Sequence, residues 1–120
     1  MKTTKADFEY FKSKCELWLE VLSLASWEVY YVHEKDDENM AGCFIHYAGR
    51  KATISLSTNW RSPVTKEELS RTALHECLEL LMLPLQSQAQ ARVWDSIEYD
   101  REHHTVIRTI EKLLFRRGGA

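Results

Sequence analysis

Hydrophobic periodicity changes twice along this chain, from a helical step to strict alternation and back, and few architectures accept that order. Phe8, Phe11, Cys15, Trp18, Leu19 and Leu22 recur at three- and four-residue steps, so residues 5 to about 23 form an amphipathic helix with one apolar stripe. From Trp27 the period becomes two: Trp27, Val29 and Tyr31 alternate with Glu28, Tyr30 and Val32 until the charged run Lys35-Asp36-Asp37-Glu38-Asn39 ends the strand in a solvated turn. A second strand covers about 41–47. Ala48-Gly49-Arg50-Lys51 then turns the chain into a third, Ala52-Thr53-Ile54-Ser55-Leu56-Ser57, with Ala52, Ile54 and Leu56 on one face and small hydroxyls on the other.

Pro63 closes the β region, and Thr65 followed by Glu68 makes a capping box for the next helix. That helix is expected to reach about Leu83, where Pro84 stops it. Residues 85–95 read equally as helix beyond a kink or as a connecting loop. A last helix runs from about Ile97 to Phe115 on a stripe of Val106, Ile107, Ile110, Leu113 and Leu114, and 116–120 form a frayed tail. The order helix, three strands, helix, helix predicts an α+β domain, its helices on one face of a small, mostly antiparallel sheet.

At 120 residues and 14.1 kDa, with four glycines and two prolines, the chain is sized for a single domain over 1–120 rather than two. A net charge of −2 with both signs interspersed leaves no electrostatic footprint for a nucleic-acid backbone, so nucleic acid is not an expected partner. No stretch has the length of a membrane span and no signal-peptide pattern opens the sequence. Cys15, Cys43 and Cys77 are odd in number and lack a C-x-x-C pair, which reads as reduced thiols in the cytoplasm.

The chemistry concentrates in Leu74-His75-Glu76-Cys77-Leu78-Glu79-Leu80-Leu81. One imidazole and two carboxylates amid leucines would be costly to bury unless paired, protonated or metal-bound. His75 and Glu79, four apart, point the same way, while Glu76 is turned by about 100°. This is the geometry of a zinc-protease His-Glu-x-x-His helix with glutamate at the second histidine. Catalytic zinc usually takes three protein ligands and leaves one position open. A third ligand must come from Glu102, His103 or His104; Zn²⁺, and also Fe²⁺ or Mn²⁺, suits such a set. With Ile110 at the centre of the last apolar stripe, His103 lies about 20° from it and His104 about 120° away, so periodicity favours His103. Read blandly, His75 is a core histidine, and Glu76 and Glu79 pair with Arg71, Arg101 or Arg108.

Over residues 8 to 115 the chain resembles small phage-type metallopeptidases of the SprT-like, minimal zincin group. The resemblance is carried by Ser26-Trp27-Glu28-Val29, Ala52-Thr53-Ile54-Ser55-Leu56, Arg71-Thr72-Ala73-Leu74-His75-Glu76 and His104-Thr105-Val106-Ile107-Arg108-Thr109-Ile110-Glu111. It implies that His75 binds metal, that Glu76 is the general base, and that His104 completes the site. It also implies that the third strand is the edge along which a peptide substrate pairs, and a phage-encoded chain would work in the host cytoplasm. Glu79 stands where the full motif has histidine, and a carboxylate there makes the metal a weaker Lewis acid. Three functions follow: a zinc-dependent peptidase with His75, Glu79 and His104 as ligands, a non-catalytic zincin-like binding or regulatory module, and a structural protein held by a polar network.

Overall fold

A computed structural model of the protein describes residues 1–46, 49–90 and 96–117, with side chains at all of these except 87–90, 96, 98 and 114–117. The elements are α1 (Lys5–Val21), β1 (Glu28–Glu34), β2 (Ala41–His46), β3 (Lys51–Ser57), α2 (Lys66–Gln90) and α3 (Ser96–Arg117), an α+β fold. The chain divides into two compact units, Met1–Leu80 and Leu81–Ala120. Among the described residues no helix is long and apolar enough to cross a membrane.

In the first unit, α1 starts because Thr4 and Asp7 cap each other's backbone: Asp7 N donates to Thr4 Oγ1 at 3.1 Å and Thr4 N to Asp7 Oδ2 at 2.8 Å. It buries Phe11, Cys15 and Leu19, the stripe expected from the sequence, and ends with Ser23 at φ 60°, where Leu24 N reaches Leu19 O at 2.7 Å in a Schellman-type closure.

The sheet is mixed, in the order β1-β3-β2: β1 runs parallel to β3 and β2 antiparallel to it. β3 is therefore the central strand, which corrects the expectation that it is an edge. Hydropathy alternation reports which face is covered and says nothing of which neighbour a strand takes. The segment 35–40 carries the chain past one strand position, and β3 fills the gap. Val29, Tyr31 and His33 align with Ala52, Ile54 and Leu56, and these with Ile45, Cys43 and Ala41, on the face that receives the helices. There Phe8 stacks on His33 with ring centroids 5.0 Å apart, Lys12 lies over the Tyr31 ring, and Cys77 Sγ contacts Cys15 O at 3.5 Å. Ala52, Ile54 and Leu56 are fully buried. Ser55 and Ser57 are buried too, because a central strand is flanked on both sides even on its outer face. Gly49 turns the chain at φ 86°; Ala48, before it in the expected turn, lies outside the described residues.

The loop between β1 and β2 is tied down by polar contacts. The exposed Asp36 carboxylate accepts from Glu38 N and Asn39 N, which holds it below the usual carboxylate range. Ser57 Oγ donates to Asp36 O at 2.7 Å and accepts from Asp36 N and Asn59 N. Met40 O takes both Ser57 N at 2.8 Å and Trp60 Nε1 at 3.1 Å.

α2 opens with Glu68 N donating to Thr65 Oγ1 at 3.1 Å, half of the expected capping box. It does not stop at Pro84 but continues to Gln90. An internal proline forfeits one backbone hydrogen bond, at a cost of about 3 kcal/mol, and the helix-forming Leu85, Gln86, Gln88, Ala89 and Gln90 resume the helix beyond it. Of the ambiguous stretch 85–95, residues 91–95 lie outside the described ones, as do 118–120 of the expected tail.

In the second unit, α3 buries Val106 and Thr109, while Ile107 and Ile110 are exposed, so the stripe is rotated from the expected one. Thr109 Oγ1 donates to Thr105 O at 2.9 Å, and that internal bond lets a threonine sit where a hydropathy count places an isoleucine. The side chain of Leu114 lies outside the described ones.

Candidate functional site

The face of α2 that enters the core of the first unit is Leu69, Ala73, Glu76, Cys77 and Leu80. His75 and Glu79 lie on the opposite side, with side chains 68% and 48% exposed, alongside the exposed Leu78 and Met82. This corrects the expectation that all three polar side chains are buried. A run of leucines wraps the whole helix, and the 3.6-residue period alone decides which positions go inward. Only Glu76 does, at 6% exposure. His75 is therefore not a core histidine.

His75 Nε2 is 3.6 Å from Glu79 Oε1, the contact that their spacing dictates. Arg71 pairs with Glu67 at 3.6 Å and Glu68 at 3.5 Å, one turn back on its own helix, and neither Glu76 nor Glu79 is its partner. Among the described residues Glu76 has neither an ion pair nor a hydrogen bond that offsets its burial. Burial therefore pushes its carboxyl up to about 6; His75 nearby pulls it down and Glu79 adds to the rise.

Glu76 is not sealed in. It lines, with His75, a cleft of about 320 Å³ whose other walls are Glu68, Arg71 and Thr72 of α2 and Asn39, Met40 and Ala41 at the start of β2. Sequence reasoning did not foresee that β2 wall, because it depends on β2 being carried to the sheet edge beyond β3. Cys43, two residues into β2, feels the same surroundings: burial first, then Glu76, Cys77 and Glu79, push its thiol up to about 12. The Cys15 thiol is raised further, chiefly by its hydrogen bond with Cys77 and by burial. All three cysteines are free.

His104 and its neighbours belong to the second unit. By the 100° advance per residue, His103 lies about 90° and His104 about 170° from the midpoint of Val106 and Thr109, so neither is on the buried stripe and both are exposed. Glu102 is partly buried. His104 Nδ1 donates to Asp100 O at 2.8 Å and stands 3.5 Å from Asp100 Oδ1. His103 stacks on Tyr99, and Asp100, His103 and His104 each offer a ligand atom within 4.8 Å of the others. Asp100 was missed by the sequence reading, although its i, i+4 spacing to His104 was there to be read.

Set against known proteins, the chain matches no family model, no curated protein and no solved structure.

Proposed function

We propose that the chain is a metal-dependent peptidase in which His75 and Glu79 hold a divalent cation and Glu76 acts as general base. The observation that carries this reading is the cleft that joins His75 to the buried Glu76, which has no partner among the described residues. The donor pair fits the group: two ligands bound to Zn²⁺ at about 2.0–2.2 Å stand 3 to 4 Å apart, and His75 Nε2 and Glu79 Oε1 are separated by 3.6 Å. Imidazole with carboxylate also admits Fe²⁺ or Mn²⁺. When bound, the metal would supply a Lewis acid that polarises a carbonyl and acidifies water.

The chain's own residues provide the rest. Glu76 titrates near 6, so it is mostly ionised at neutral pH yet basic enough to take a proton from a nucleophile in the cleft and return it to a leaving amine. Among the described residues β2 pairs with β3 alone, which leaves its outer edge open beside the cleft wall at Ala41. An extended protein or peptide substrate would add along that edge by backbone pairing. The free thiols, those of Cys15 and Cys77 buried, suit a reducing cytoplasm, the host's if the chain is phage-encoded.

The test is hydrolysis of an unfolded protein and a peptide library by chelated and zinc-loaded chain, with metal occupancy measured alongside. Zinc-dependent cleavage that disappears in Glu76→Gln at unchanged occupancy supports the peptidase. A fully occupied wild type that cleaves nothing supports the binding-module reading instead.

A further inference from the structure

We propose that α3 carries a divalent-metal site of its own, formed by Asp100, His103 and His104 and independent of His75 and Glu79. The three fall at i, i+3 and i+4, and a ligand atom from each lies within 4.8 Å of the others. Ligands of one tetrahedral zinc ion stand about 3.4 Å apart, so these exposed side chains need to close by up to about 1.5 Å.

Each imidazole has a neighbour that limits its rotation. A carbonyl can only accept, so the contact of His104 Nδ1 with Asp100 O places the proton on Nδ1 and leaves the Nε2 lone pair free. A backbone carbonyl holding the non-ligating nitrogen is the usual support for a metal-binding histidine. His103 is held by stacking on Tyr99, at 5.8 Å between centroids and 12° between planes, and its ring lies 5.9 Å from that of His104. Neighbours on a helix diverge by about 100°, yet each of these two imidazoles brings a nitrogen within 4.8 Å of an Asp100 carboxylate oxygen. A plain surface ion pair would explain Asp100 with His104 but not the convergence of His103.

Two imidazoles and one carboxylate select a borderline transition metal, Zn²⁺, Co²⁺, Ni²⁺ or Fe²⁺, over Ca²⁺ and Mg²⁺, which prefer oxygen. All three ligands come from consecutive turns of one helix, so the remaining coordination positions stay open to solvent. A bound ion would cross-link those turns and stabilise α3.

The experiment uses the full chain, stripped with chelator, and titrates Zn²⁺ by calorimetry and Co²⁺ by its visible absorption. A His75→Ala/Glu79→Gln double variant isolates the α3 site. It is expected to keep one equivalent of metal with nitrogen-type Co²⁺ bands, and adding Asp100→Asn or His103→Ala should weaken that binding at least tenfold without loss of helical circular dichroism. A double variant that binds no metal overturns the proposal. So does retained binding that ignores both Asp100→Asn and His103→Ala. Loss of a second equivalent on going from wild type to the double variant reports on His75 and Glu79 alone, so the two sites succeed or fail separately.

Discussion

Ser57 Oγ, fully buried at the end of the central strand, donates to Asp36 O at 2.7 Å and so hangs the loop between β1 and β2 from β3. The same loop ends in Asn39 and Met40, two of the residues that wall the cleft beside His75 and Glu76. The Ser57 hydroxyl on the far side of the sheet thus helps, with the bonds of Met40 O to Ser57 N and Trp60 Nε1, to place that wall of the cleft.

Ser57→Ala leaves Asp36 O, Asp36 N and Asn59 N without that partner. Buried polar groups stripped of a hydrogen bond cost about 1–3 kcal/mol each at most, and the loop can relax, so a loss of about 1–3 kcal/mol in urea unfolding is expected. Amide exchange at Asp36 and Asn59 should accelerate as well. A change below about 0.5 kcal/mol with unaltered exchange would show that the hydroxyl does not hold the loop.

His75 and Glu79 are exposed, so the metal-free chain should tolerate His75→Ala and Glu79→Gln within about 0.5 kcal/mol. Their effect should appear only with metal. In an Asp100→Asn/His103→Ala background, Zn²⁺ at about 100 times its dissociation constant should stabilise the chain by about 2.7 kcal/mol, and either α2 substitution should abolish that gain at the same zinc concentration. An unchanged gain in either variant removes that residue from the ligand set.

The sequence made the elements legible because periodicity is a local property. The stripe of α1, the strand at β3 and the Thr65 cap all appear in the structure where neighbouring residues put them, although the burial of β3 does not alternate as its hydropathy does. What it could not yield are relations between segments. Strand order is one: nothing in Ala52–Ser57 says that β1 and β2 lie on either side. Helix rotation is the other. Leu74 and Leu78 made His75 look buried, whereas the inward positions Leu69, Ala73, Glu76, Cys77 and Leu80 set the rotation of α2 in the first unit. On α3 a threonine bonded to its own backbone displaced two isoleucines from the inner face. The pairing of His75 with Glu79 survived because i, i+4 contact holds at any rotation.

The raised thiols carry a prediction about reactivity. Alkylation needs the thiolate, and Cys15 and Cys43 hold their protons far above neutral pH, Cys43 up to about 12. Folded protein at pH 8 should react with iodoacetamide at least about tenfold more slowly than a free thiol, and urea should release all three cysteines at once. Fast labelling of Cys43 in the folded chain would mean that β2 is more open than its position implies.

Glu76 offers the sharpest test, because burial and catalysis predict opposite effects of one substitution. Its carboxyl is raised from 4.5 to about 6, so between those values the folded chain holds a proton that the unfolded chain has released. The associated stability is present in full below pH 4.5 and is lost as pH rises through about 6. Above that, the ionised carboxylate costs on the order of 2 kcal/mol in the chelated protein. Glu76→Gln keeps the shape and removes the charge. The variant should therefore match wild type near pH 4.5, exceed it at pH 7.5 by up to that amount, and lack the fall in melting temperature between. In the zinc-loaded chain the same change should lower peptide hydrolysis by a factor of about 10²–10⁴. A variant that is less stable than wild type at pH 7.5 would mean that the carboxylate has a stabilising partner, and the base assigned to the cleft would be the wrong residue.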